Sequence, residues 1–121
     1  MSENYLLELI VTFVNVTVDR PLGSRHPDYP NMIYPVNYGY IKGMSAPDGD
    51  EQDAYVLGVS EAISEFWGRV IAIICRKDDV ENKIVVAPDG VKFSEKEIRK
   101  LTYFQEHYFE SEIQMPFING Y

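Results

Sequence analysis

Tyr34-Pro35-Val36-Asn37-Tyr38-Gly39-Tyr40-Ile41, followed after a six-residue bridge by Asp48-Gly49-Asp50-Glu51-Gln52-Asp53, is the stretch whose reading decides this chain. An aromatic, apolar segment runs into three aspartates within six residues, set around a single glycine. Carboxylates with a free pKa of about 4 are ionised at neutral pH, so the cluster repels itself unless a cation is shared among its members. With no His or Cys in the stretch, the donor set is all oxygen. Such a set selects hard ions, Mg2+, Mn2+ or Ca2+, over zinc or copper. A solvated acidic turn is the plainer alternative, and it fits an isolated Asp-Gly-Asp better than it fits this longer pattern. An EF-hand calcium loop is excluded by counting. From Asp48, its fifth, sixth and twelfth positions hold Gln52, Asp53 and Val59, where that loop needs a ligand, a glycine and a glutamate.

Outward from this stretch, the chain has the length and composition of one globular domain, 121 residues with 45% hydrophobic and 13% aromatic side chains. Eleven Lys and Arg against nineteen Asp and Glu give a net charge of -8. That sign disfavours nucleic acid as a partner. It also repels any small anion unless bound metal ions invert the local potential. The single cysteine, Cys75, closes the apolar run Val70 to Ile74 and reads as a packing residue. An intrachain disulfide is impossible, which suits a reducing compartment. The first residues carry Glu3 and Glu8, without a basic leader and with an apolar run too short for a bilayer. The reading is a cytoplasmic protein with no membrane partner.

Periodicity supplies the elements. Leu6 to Asp19 settles into alternation, with Val14, Val16 and Val18 on one side and Asn15, Thr17 and Asp19 on the other, a half-buried strand. Tyr38 to Ile41 is a short strand in which Gly39 admits close approach of another backbone or a ligand. Ala54 to Val59 and Arg69 to Cys75 are strands joined by a polar connection, Ser60 to Gly68, and Ile84 to Ala87 is another strand. Phe93-Ser94-Glu95-Lys96-Glu97-Ile98 is a capping box with a hydrophobic staple. It predicts a helix to about Phe109 with Ile98, Leu101, Gln105 and Tyr108 near one face. The elements read in this way are mainly β (α+β), five strands and one C-terminal α-helix. No function is read for Met115 to Tyr121.

Tyr-Pro-Val-Asn-Tyr-Gly-Tyr-Ile followed by Asp-Gly-Asp-x-x-Asp resembles the signature of family I soluble inorganic pyrophosphatases, and the likeness extends more weakly from Val18 to Tyr108. The resemblance implies an OB-like five-stranded β-barrel with the C-terminal α-helix packed outside, a single pyrophosphatase-like barrel domain over residues 1-121 that hydrolyses pyrophosphate with Mg2+, or with Mn2+, and assembles as a homo-oligomer. It implies that Asp48, Asp50, Asp53, Asp78 and Glu81 ligate metal, with Asp50 accepting the proton of the attacking water. Asp78 and Asp79 are not distinguished. Arg25, Tyr38, Lys83 and Tyr108 would bind phosphate, with Tyr34 supporting Tyr38, and Asp19 would take the place of a rim glutamate.

The chain also departs from the family pattern. The hairpin that carries a lysine, an acid and an arginine before Tyr-Pro is missing, the loop before Lys83 is two residues shorter, and Glu81 replaces an aspartate. Phe109 stands where a phosphate-binding lysine follows the helix tyrosine. Losing that cation removes a contact of about 1.5–3 kcal/mol unless Arg25, His26 or His107 replaces it. Two alternatives to pyrophosphate hydrolysis therefore stay open: a hydrolase of another, larger phosphoanhydride, and a non-catalytic metal- and phosphate-binding module.

Overall fold

The computed structural model describes residues 12–46, 48–77 and 81–115. The start of the first expected strand, Asp78 and Asp79, and the tail beyond Met115 lie outside the described residues.

Six strands form one sheet: β1 (Phe13–Arg20), β2 (Asn37–Ser45), β3 (Glu51–Val56), β4 (Glu65–Arg76), β5 (Asn82–Ala87) and β6 (Ser111–Gln114). A helix, α1 (Glu95–Glu106), separates the last two. The strand order β1-β2-β3-β5-β4 closes through a β1–β4 pairing, which makes the expected five-stranded barrel, and β6 adds to β4. Neighbours run antiparallel except β3 and β5, which pair in parallel with Ala54 opposite Ile84 and Tyr55 opposite Val85.

The alternation of Val14, Val16 and Val18 is borne out, since all three are buried in one cluster with Ile41, Ala54, Val56, Val70, Ile84 and Val86. This is the barrel interior. A second cluster joins Tyr34, Tyr38, Tyr55, Leu57, Ile74 and Val85 to Ile98 of α1, so it fills the space between the outer wall and the helix. Because cross-strand partners share a face, the registers assign each polar residue to one side or the other. Tyr38 opposite Tyr55 belongs to the helix side, and Gly39 opposite Ala54 to the interior.

Gly39 is required by contact. A Cβ there would lie 1.9 Å from the Thr17 carbonyl oxygen, so the backbone approach anticipated for it is made by β1. Asn37 of the same motif is fully buried. Its side chain accepts from the amides of Leu22 and Ile63 at 2.9 and 3.3 Å and donates to the Glu61 carbonyl at 2.9 Å. It thereby ties two loops to the start of β2.

Several elements differ from expectation: β2 runs from Asn37 to Ser45, beyond the Tyr38–Ile41 expected, and β3 spans Glu51–Val56 where Ala54 to Val59 was expected. Glu65 to Gly68, read as connection, is the first third of β4: Phe66 and Gly68 lie opposite Val16 and Val14 on the inner face, while Trp67 points outward. A short aromatic–glycine pair hides that alternation. The strand β6 was not foreseen; only Ile113 of its four residues is buried, so its sequence carries little pattern. The capping box forms as predicted, with Ser94 and Glu97 exchanging bonds of 3.1 and 2.9 Å. The helix stops at Glu106, however, and its buried face is Ile98, Thr102 and Glu106, with Tyr108 exposed.

Candidate active site

The helix-side face of the barrel carries a cavity of about 550 Å3 beside the C-terminal end of α1. Its floor follows from strand register. Parallel pairing of β3 with β5 sets Asp53 beside Lys83, and the Lys83 ammonium donates to Asp53 Oδ2 at 2.5 Å and to Glu81 Oε2 at 2.8 Å. Lys83 is almost wholly buried. Burial alone would lower its pKa, but Tyr38, Asp53 and Glu81 outweigh it and hold the group above its ordinary value, firmly charged. Tyr38 lies against it, the ammonium 5.9 Å from the ring centroid. Burial, reinforced by Asp53 and opposed by Lys83, pushes the Tyr38 hydroxyl well above its usual pKa, so it remains a neutral donor.

The far wall is built on Arg76, the last residue of β4. Its guanidinium donates to both oxygens of Glu106, at 3.0 and 2.9 Å, and to Glu81 at 2.9 Å, and its Cζ lies 3.6 Å from the centroid of the Phe109 ring. Where the resemblance placed a lysine after the helix tyrosine, the strand instead lays an arginine over the aromatic ring.

A hydrogen-bonded chain runs beneath the cavity from this wall to the opposite one. Tyr55 donates to Glu106 at 2.6 Å, Gln105 donates to the Tyr55 hydroxyl at 2.7 Å, Tyr34 donates to Gln105 at 2.9 Å, and Arg20 donates to Tyr34 at 2.6 Å. Each hydroxyl both gives and accepts, so every buried polar group in the row is satisfied. The Tyr34 ring lies beside that of Tyr38, with centroids 5.6 Å apart.

Of the residues singled out from sequence, Tyr38, Asp53, Glu81, Lys83 and Tyr108 line this one cavity, and Asp19 and His26 reach its rim. Asp48 and Asp50 do not. They are exposed on the turn before β3, where the Asp50 amide donates to Asp48 Oδ1 at 3.0 Å. Arg25 donates to the Pro30 carbonyl at 2.8 Å on an exposed loop, and His107 contacts the Tyr103 carbonyl at 2.6 Å, away from the cavity. Asp78 lies outside the described residues.

Arg20, Arg76 and Glu106 were not anticipated. Arg76 was legible: the alternation that buries Ile74 toward the helix reaches it one step later. Arg20 was not. Alternation from Val18 would point residue 20 into the barrel, but a bulge between Val18 and Arg20 brings Arg20 opposite Tyr38 on the outer face.

A closed mixed barrel with one external helix, and a cavity in which ammonium, guanidinium and carboxylate groups alternate, define a small β-barrel protein equipped for a multiply charged ligand. The chain belongs to the inorganic pyrophosphatase family, whose sequence model, described as "Pyrophosphatase: Inorganic pyrophosphatase", matches residues 14–117. An inorganic pyrophosphatase of Saccharolobus solfataricus is 32% identical over 113 residues, a match covering 80% of this chain and 62% of that relative. The chain thus spans under two thirds of that protein's length. In fold it is similar to the inorganic pyrophosphatases of Ehrlichia chaffeensis (TM-score 0.66, 19% identity, 85% of each chain covered) and Coxiella burnetii (TM-score 0.63, 17% identity, 87% and 85% covered). No helix among the described residues is long and apolar enough to cross a membrane.

Proposed function

We propose that this chain hydrolyses inorganic pyrophosphate to two phosphates with the help of divalent metal ions, Mg2+ first and Mn2+ second. The observation that carries the reading is the Asp53–Lys83–Glu81 cluster on the floor of the helix-side cavity, in a member of this family. The donor chemistry suits a hard divalent cation. Asp53 and Glu81 each place an oxygen within bonding distance of one nitrogen, so a single cation can be shared by both. Among the described residues no third acid joins them at metal-ligand spacing; the proposal takes the further ligands from Asp48 and Asp50 on the adjoining turn and from Asp78. Once bound, such ions neutralise substrate charge and supply a water of lowered pKa.

The residues of the chain do the rest. Lys83, Tyr38 and Tyr108 donate to phosphate oxygens, with Arg25 an outer contact on the loop that carries His26 to the rim. The water oxygen bonds to one phosphorus, the bridging P–O bond breaks toward the other phosphate, and Asp50 takes the proton. The test is phosphate release from pyrophosphate with Mg2+ or Mn2+, and normal turnover by Asp50→Asn would remove that assignment. Self-association belongs to the same proposal and is decided by the molar mass in solution.

A second reading, hydrolysis of a larger phosphoanhydride, is favoured by the cavity's size. About 550 Å3 falls within the range of sites for organic ligands, roughly 300–1,000 Å3, and an outer groove shares its residues Tyr29, Met32 and Tyr108. Parallel assays on triphosphate and nucleotides separate the two. Metal and pyrophosphate binding without phosphate release would identify a non-catalytic module.

A further inference from the structure

We infer that the groove outside the cavity holds the base of a purine nucleoside diphosphate, a role resting on the reading that the cavity itself takes the phosphates. The two spaces are continuous, since Tyr29, Met32 and Tyr108 line both. Their chemistry differs. The cavity gathers Arg20, Arg76 and Lys83, whereas the described residues that line the groove include no lysine or arginine, and Asp28 is the one charged residue among them. A phosphate is repelled there, so the part of a ligand that extends from the cavity into the groove is uncharged.

Met32, Ile33 and Phe104 give the groove an apolar lining, and its volume of about 640 Å3 admits a fused ring system. Tyr29 and Tyr108 stand where groove meets cavity, 63% and 65% exposed. Ordering a mobile side chain on binding costs entropy, but both rings are already backed by a histidine. The Tyr29 ring centroid lies 5.0 Å from that of His26, whose Nδ1 accepts from the Asp28 amide at 3.0 Å. The Tyr108 centroid lies 3.9 Å from that of His107, and His107 stacks in turn on Tyr103 at 4.8 Å.

The loop that carries Tyr29 is closed on itself. The His26 amide donates to the Met32 carbonyl at 2.9 Å, the Met32 amide to the Tyr29 carbonyl at 2.8 Å, and the Arg25 guanidinium to the Pro30 carbonyl at 2.8 Å. Positioned aromatic rings with open surface are what a nucleobase stacks on, and a purine covers more of that surface than a pyrimidine. Asp28 is an acceptor for an amino group on the edge of the base. A tyrosine joins an apolar ring to a polar tip, so Tyr108 can serve both ends of the ligand, its hydroxyl a phosphate and its ring the base.

The test is calorimetric titration of adenosine 5'-(α,β-methylene)diphosphate and of methylene diphosphonate, which share one non-hydrolysable P–C–P unit, with Mg2+ present, into wild type, Tyr29→Ala and Tyr29→Phe. Tyr29→Ala should weaken the nucleotide analogue about 5- to 150-fold, the range for one base–aromatic stacking contact, and leave the diphosphonate unchanged. Tyr29→Phe should bind both as wild type does. Undiminished nucleotide affinity in Tyr29→Ala overturns the assignment, as does an equal loss for both ligands. If Tyr29→Ala does not fold, nuclear Overhauser contacts between adenine H2 or H8 and tyrosine ring protons of the wild type decide, their presence upholding the site and their absence overturning it. A wild type that binds the diphosphonate but not the nucleotide defeats this site and leaves the proposed pyrophosphate reaction standing. One that binds neither defeats the phosphate reading of the cavity, and this site with it.

Discussion

Arg76 closes over Glu106 with two hydrogen bonds of 3.0 and 2.9 Å, joining the end of a barrel strand to the last residue of the helix. The position needs such a partner. A carboxylate at a helix C-terminus faces the negative end of the peptide dipoles, and the last turn of α1 contains no basic residue. The strand supplies the missing cation, and both side chains are almost fully buried, at 5% and 7% exposure.

Removing one member of that pair is therefore expected to be costly. Arg76→Met should lower the unfolding free energy by about 3–5 kcal/mol, the usual consequence of leaving a buried charge without its counter-charge. Arg76→Met combined with Glu106→Gln should recover most of the loss, since the substituted amide is uncharged and its oxygen can still accept from Tyr55. Urea midpoints of the wild type, the singles and the double close the cycle. Additive losses would show that the two residues are not coupled.

Lys83 gives a prediction in pH. Its folded-state pKa is raised, so its contribution is complete below the unfolded value of about 10.4 and fades as pH climbs through the folded value. The stability gap between wild type and Lys83→Met should hold level from about pH 6 to 10 and narrow only above about 10.4. Thermal unfolding across that range measures it; a gap already narrowing near neutrality would contradict the buried, charged ammonium.

Two glycines should respond unequally to alanine. At Gly39 the added carbon meets the Thr17 carbonyl oxygen, part of a paired strand that cannot withdraw, and a loss beyond about 4 kcal/mol, or failure to fold, is expected. At Gly49 nothing lies within 4 Å and φ is +91°. There only the left-handed backbone is penalised, about 1–2 kcal/mol. Equal losses at the two sites would refute the contact argument.

Metal dependence can be read without activity. Mg2+ at a hundred times its dissociation constant should stabilise the native chain by about 2.7 kcal/mol, visible as a rise in melting temperature that EDTA reverses. Asp53→Asn and Asp50→Asn should each reduce that rise. A shift kept intact by Asp50→Asn would confine the metal to the acids of the cavity floor, Asp53 and Glu81.

Much of this fold was legible because burial imposes period two on its strands. Val14, Val16 and Val18 announced β1, and Ser94 with Glu97 announced α1. The edges of elements were harder. Phe66-Trp67-Gly68 alternates in and out, yet a glycine on the buried face gives no apolar signal. The charged groups of the cavity divide in the same way. Lys83 and Asp53 are recognisable by their place in a motif and Arg76 by continuing an alternation, whereas Arg20 depends on a bulge that no local pattern records. The placement of Asp48 and Asp50 outside the cavity lining that Asp53 joins was equally hidden, because both stand on the exposed turn before β3, which the acidic pattern alone does not distinguish from the strand.

The one parallel pairing among the described strands, β3 with β5, has a bearing on how the molecule is made. Residues 53 and 83 become neighbours only after the intervening β4 has crossed over and returned, so no early hairpin contains both. The cavity floor is thus born with closure of the barrel, and a nascent chain released before Glu81 would carry the acidic stretch with neither Lys83 nor Glu81 to meet it.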